Sequence, residues 1–206
     1  MIMKTLKLTL AALTIGLFAS CSSDDDNNGT PTVIKAETYE NLHAPNSSTT
    51  PGEISGDFVK FNFETGQIVT DNTWDVGFRS TQIIVNGGTA AEGGPARTGD
   101  GGVYIESALY NEVTQVGTDT SFLQDDNGTY AITTGSGNGW YNYDRTTHII
   151  SPIPGKILVF KTHDGNYAKM EILSYYKDSP TNPDPFTDQS STYTFNYTYS
   201  NTGSFE

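Results

Sequence analysis

The chain has 206 residues, and its 24 aspartates and glutamates outnumber 11 lysines and arginines to give a net charge of −13. A surface this acidic repels nucleic acid and anionic lipid, so neither is expected as a partner. A lone cysteine excludes an intramolecular disulfide, and stability must come from a hydrophobic core.

Lys4 and Lys7 precede an apolar run over residues 8–18, too short for a stable bilayer span and suited to a signal-peptide core. The run ends in Phe18-Ala19-Ser20-Cys21, small residues directly ahead of the cysteine, an arrangement that resembles a bacterial lipobox. In that reading residues 1–20 are a lipoprotein signal peptide and Cys21 is acylated as the mature N-terminus, attaching the protein to a membrane. The alternative is an ordinary secretory signal with a coincidental cysteine. Ser22-Ser23-Asp24-Asp25-Asp26 opens an acidic flexible tether, residues 21–31, which resembles the surface-export signal of Bacteroidetes lipoproteins and also suits a solvated spacer. The remainder, residues 32–206, is long enough for one domain with a full core.

From Thr32 the sequence reads as strand after strand. Residues 33–39 are the first candidate, and 41–53 form a loop rich in Ser, Thr and Pro. Residues 58–63 and 74–78 alternate apolar and polar, and 81–85 are a short apolar strand. Glycine dominates residues 86–102, which predicts a long, partly mobile surface loop. Residues 103–116 suit a helix in part and a strand with a short helical turn equally well. Phe122 and Leu123 lead to a turn at Asp125-Asp126-Asn127-Gly128, and Tyr130-Ala131-Ile132 resumes a strand. After the Gly135–Gly139 loop come Trp140-Tyr141-Asn142-Tyr143, then residues 146–150, and a Pro-rich corner at 151–155.

Residues 156–178 hold the clearest signal. Two runs of β-branched and aromatic residues flank Asp164-Gly165, the signature of a hairpin with a two-residue type I′ turn. That turn pairs His163 with Asn166, Val159 with Met170 and Ile157 with Ile172, which puts Ile157, Val159, Met170 and Ile172 on the core face. Leu158 and Phe160 then share a mixed, partly covered face with Lys169 and Glu171. A Pro- and Asp-rich loop, residues 177–191, precedes a last strand that presents Tyr193, Phe195, Tyr197 and Tyr199 on one side. Many short strands and no sustained helical period predict an all-β fold of two antiparallel sheets, sandwich-like, with long loops.

Catalytic motifs are not apparent. Gly135-Ser136-Gly137-Asn138-Gly139 lacks the strand before and helix after that a phosphate loop requires. Residues 125–128 lack the alternating oxygen ligands and closing Glu of a calcium loop. Ser, His and Asp are present, but no motif pairs a nucleophile with a base. Of the histidines, His43 lies in a loop, and His163 flanks the Asp-Gly turn as a polar turn residue would. His148 follows Trp140, Tyr141 and Tyr143, aromatics that beside an imidazole could form the wall and axial ligand of a planar metalloporphyrin site.

Several of these stretches together resemble the HmuY family of haem-binding lipoproteins from Bacteroidetes. They are the lipoprotein start, Trp74-Asp75-Val76-Gly77-Phe78-Arg79, Gly139-Trp140-Tyr141, the run 161–169 continuing to Ser174-Tyr175-Tyr176, and residues 193–199. The resemblance implies two antiparallel sheets, with haem held between protruding loops by two His or Met residues. It also implies transfer to a TonB-dependent outer-membrane receptor and no catalysis. His148 occupies the place of the first family ligand. The second belongs in the loop after Ser-Tyr-Tyr, and residues 177–191 contain neither His nor Met. His163 or Met170 would have to substitute, and the pairing above points Met170 into the core, which leaves His163; a five-coordinate site, or the scaffold without haem, is the other outcome. The implied protein is an outer-membrane lipoprotein, exposed at the cell surface or shed, that carries haem for iron acquisition. The alternative is a non-catalytic surface domain for a glycan or protein ligand, with residues 86–102 as its contact region.

Overall fold

Tyr193, Phe195, Tyr197 and Tyr199 all point into the main core, as their alternation predicts, and the strand that carries them lies inside the larger of two sheets. The computed structural model describes residues 31–118 and 120–206; the signal segment, Cys21 and the tether up to residue 30 lie outside the described residues. The strands are β1 (Ile34–His43), β2 (Val59–Asn62), β3 (Gln67–Val69), β4 (Val76–Arg79), β5 (Gln82–Val85), β6 (Gly88–Thr89) and β7 (Gly102–Ser107). A 3₁₀ turn, Tyr110–Glu112, follows, then β8 (Asp125–Asp126), β9 (Tyr141–Tyr143), β10 (Ile150–Pro152), β11 (Lys156–Lys161), β12 (Tyr167–Ser174) and β13 (Thr192–Ser200). Residues 103–116 thus resolve as a strand with a helical turn. The protein is all-β: no α-helix occurs among the described residues, and none there is long and apolar enough to cross a membrane.

The larger sheet has the antiparallel order β1-β13-β12-β11-β7, and the smaller has β3-β2-β4-β5. Neither closes into a barrel. Their facing sides interleave aromatics. Phe61 meets Phe195 edge-on with centroids 5.4 Å apart, Phe63 lies 5.1 Å from Phe160, and Phe78 lies 4.8 Å from Tyr193. Edge-to-face and tilted contacts let ring edges meet ring faces, which adds to the burial of large apolar area. Two ribbons complete the chain: β9 with β10, antiparallel, and β6 with β8, parallel.

The hairpin forms, but with a register one residue away from the expected pairing. Leu158 faces Met170, Val159 faces Lys169 and Lys161 faces Tyr167. The connection is longer than two residues: Gly165 N donates to Thr162 O (3.1 Å) and Thr162 N to Asn166 O (2.8 Å). Gly165 has φ +89°, whereas Asp164 is not among the positive-φ residues. This is a type I turn closed by a left-handed glycine, and it needs only one left-handed residue where type I′ needs two. The one-residue difference turns β11 over, while Met170 and Ile172 of β12 stay on the core face as expected. Leu158, Phe160, Ala168 and Met170 line the main core, while Ile157 and Val159 lie in a second cluster with Val113 and Phe205. The second face is therefore covered rather than half open, because the segment after β7 and the C-terminal tail fold across it. Val116 N donates to Gly203 O (2.8 Å) and Phe205 N to Thr114 O (2.7 Å). Beneath them Lys169 is buried, its ammonium donating to Tyr110 O (2.8 Å) and Val113 O (2.9 Å) over the Tyr110 ring.

Two further expectations are corrected. Residues 130–132 form no strand; Ala131 N instead donates to Asp125 Oδ1 (2.9 Å), and Ile132 enters the core with Ala131 packed at its margin. The glycine-rich segment 86–102 is tied down rather than loose. The fully buried Asn86 amide donates to Trp74 O and accepts from Thr98 N and Gly99 N. Arg97 makes a buried ion pair with Asp125 (2.9 Å). Gly87 packs so tightly that a Cβ there would lie 1.8 Å from Gly101 O, so glycine serves close approach there rather than mobility.

Candidate functional site

Trp140 anchors one end of the molecule. It is buried against Tyr141, Tyr175 and Tyr193 with centroid distances of 4.9, 5.7 and 5.2 Å, and its indole Nε1 donates to Thr81 O (3.0 Å). Tyr141 is buried beside it, so both are core residues rather than the open wall their sequence position suggested. Tyr143, two residues on, has passed the edge of the core and is exposed. The Tyr176 hydroxyl accepts from Ile150 N (3.1 Å), which fastens this ribbon to the segment just after β12.

Between β9 and β10 the chain makes a single turn. Asp144 Oδ1 accepts from Thr146 N (2.7 Å), Asp144 O accepts from His148 N (2.8 Å), and His148 closes the turn at φ +61°. These bonds to the Thr146 backbone hold the Asp144 carboxyl below its ordinary value. Left-handed backbone costs a non-glycine residue about 1 kcal/mol, although histidine tolerates it better than branched residues do. The turn projects the exposed imidazole over Tyr143, whose hydroxyl lies 2.7 Å from Nδ1. The direction of this bond follows the tautomer: with its proton on Nδ1 the imidazole donates to the Tyr143 oxygen and leaves the Nε2 lone pair free, and with its proton on Nε2 the phenol donates to Nδ1.

The third side chain of the site comes from residues 177–191. Phe186 lies 6.0 Å from the His148 ring, edge to face, and is 82% exposed. A compact turn presents it: Phe186 N donates to Asp184 Oδ1 (2.9 Å), and Asp184 N to Asp188 Oδ2 (2.8 Å). Sequence reasoning passed over this phenylalanine. Its signal was being the one large apolar residue in a polar loop.

His163 sits elsewhere. It occupies the turn before β12, whereas the ribbon carrying His148 is fastened beyond the other end of that strand. Eight residues at about 3.3 Å each put roughly 25 Å between them, so one iron cannot take both imidazoles. His163 instead pairs with the buried Asp75: Nδ1 lies 2.7 Å from Oδ1, and the His163 backbone N donates to the same oxygen (2.9 Å). The Asp75 hydrogen bond raises the imidazole pKa, with burial acting against it. Met170 is buried in the main core and is not at the site either.

His43 closes β1 opposite Thr192, at the same end of the sheet as residues 177–191. Its Nε2 accepts from the Gln189 amide nitrogen of that loop (3.1 Å).

Tyr143, His148 and Phe186 thus form an exposed cluster of three rings, each of the outer two in contact with the imidazole. In comparisons with known proteins, no curated protein matches the sequence. Three solved structures are similar in part. One is a Bacteroides fragilis protein described provisionally as a lipoprotein (15% identity, 68% of this chain and 82% of that one, TM-score 0.45). Another is a Bacteroides vulgatus protein described provisionally as HmuY-like and haem-binding (14%, 68% and 83%, 0.44), and the third is the apo HmuY analogue of Tannerella forsythia (14%, 84% and 98%, 0.41). The model of the family described as HmuY protein matches residues 55–197, well over half of the chain with the whole smaller sheet and all of the larger but β1 and the end of β13, and the chain therefore belongs to the HmuY family.

Proposed function

We propose that this protein is a non-catalytic, lipid-anchored surface protein that binds extracellular haem and delivers it for iron acquisition. His148 is the iron ligand through Nε2, Tyr143 orients it through Nδ1, and haem is cargo on which no reaction is performed. The carrying observation is the exposed His148 imidazole, set on a left-handed turn, bonded at Nδ1 by Tyr143 and faced by Phe186. Family membership supports haem as the ligand. Acylation at Cys21, the cleaved segment 1–20 and the tether 21–31 supply the anchor in this proposal, and a TonB-dependent outer-membrane receptor takes the haem onward. The test is a haemin titration of the chain lacking residues 1–20, followed by Soret absorbance. A saturable shift is expected, lost in His148→Ala. A shift unchanged in His148→Ala refutes the assignment.

A groove on the smaller sheet favours a second reading. Phe58, Lys60, Ile68, Gly93, Gly94 and Pro95 line a space of about 460 Å³, within the range of small-ligand sites. Gly93–Pro95 belong to the segment 86–102 suggested for glycan or protein contact. Binding on a glycan array by a protein with no Soret response would favour this reading over haem.

A further inference from the structure

We infer that haem is held by a single protein ligand, His148, and that Phe186 supplies the second anchor as a stacking wall rather than as an axial group. The inference rests on the haem reading above. Residues 177–191 contain no His or Met, yet they deliver one side chain to the imidazole, and it is the phenyl ring of Phe186. That ring is 82% exposed, although a phenylalanine gains by leaving water, and its ring contact is with His148. The Asp184 and Asp188 hydrogen bonds hold the loop in a turn that keeps the ring outward. A porphyrin face covers such a ring without demanding a lone pair from it. Of the other two histidines, His163 is bound to Asp75 about a sheet's length away, and His43 has its Nε2 engaged by Gln189, which leaves it for the experiment to test. The iron then keeps one axial position open to water or a small exogenous ligand.

The experiment is absorbance and electron paramagnetic resonance of the ferric haem complex, with wild type, Phe186→Ala, Phe186→Met and His43→Ala. The wild type should be high-spin and turn low-spin on addition of imidazole. Phe186→Ala should bind haemin about tenfold more weakly, the loss expected from a partly covered ring, and stay high-spin. Phe186→Met, which adds a thioether donor at the same place, should become low-spin. A low-spin wild-type complex refutes the single-ligand inference, and reversion to high spin in His43→Ala would name the missing ligand. Unchanged affinity in Phe186→Ala refutes the wall. A titration with no Soret shift in any protein instead refutes the haem reading and this inference with it.

Discussion

The Arg97–Asp125 pair should behave as a buried charge whose loss is costly on either side and cheap on both. The two side chains are 2% and 1% exposed. Asp125 Oδ2 accepts from Arg97 Nη2 (2.9 Å), Arg97 Nε (3.2 Å) and Val85 N (3.1 Å), and Oδ1 accepts from Ala131 N (2.9 Å). Asp125→Asn leaves a guanidinium buried without its counter-charge, a cost of about 3–5 kcal/mol. For a domain of about 175 residues that lowers the thermal midpoint by about 6–20 °C. Arg97→Met leaves the carboxylate with two backbone donors and a similar penalty. Burial already raises the Asp125 pKa, with the Ala131 N–H and Arg97 opposing it. A carboxyl with a raised folded-state pKa takes up a proton on folding, so the Arg97→Met penalty should shrink as pH falls toward 5. The double variant removes both charges and should recover most of the loss. Urea denaturation of the four proteins at two pH values measures the cycle. Single variants within about 1 kcal/mol of wild type, or additive costs in the double, would refute the argument.

Other perturbations test the scaffold around the site. Because Asp75 raises the His163 pKa above its ordinary 6.5, this pair stabilises fully below that value and the contribution is lost as pH rises through the folded-state pKa; His163→Gln should flatten that decline in urea titrations between pH 6 and 9. Lys169→Ala opens a void and strips a donor from two buried carbonyls, so about 2–4 kcal/mol should be lost, against a smaller loss in Lys169→Met, read from denaturant midpoints. Gly165→Ala meets no atom within 4 Å, so its cost of about 1 kcal/mol should come from the left-handed backbone alone, and Gly165→Asn should cost less.

Period-two alternation is local, and for that reason the strands were legible before any contact was known. Tyr193 to Tyr199 point inward as their spacing says. The Asp-Gly pair located the hairpin but left its register open, since two- and three-residue loops differ in how many residues turn left-handed. The hydrophobic pattern usually settles such a choice, but here it could not. Ile157, Leu158, Val159 and Phe160 are all fully buried, so either register hides an apolar row. What covers the second face, the tail around Phe205, is more than 45 residues beyond Ile157 and Val159 and carries no pairing signal of its own. Asp125 was equally opaque. In sequence it is one member of a turn-forming run, and only the fold brings Arg97 and two backbone donors to it.

The site divides along the same line. Tyr143 and His148 are five residues apart on one ribbon, so their contact follows from local geometry and sequence proximity was enough to pair them. Trp140 and Tyr141 belong to the same aromatic run, yet the core claims them because a ring pays less to be buried than to line an open wall. His163 looked available because its partner, Asp75, is 88 residues distant. Phe186 went unremarked for the same reason: the side chain it meets is 38 residues upstream. A single exposed apolar side chain is ordinary by itself, so what sets Phe186 apart is its contact with His148, and the Phe186→Ala titration decides whether a ligand covers that ring.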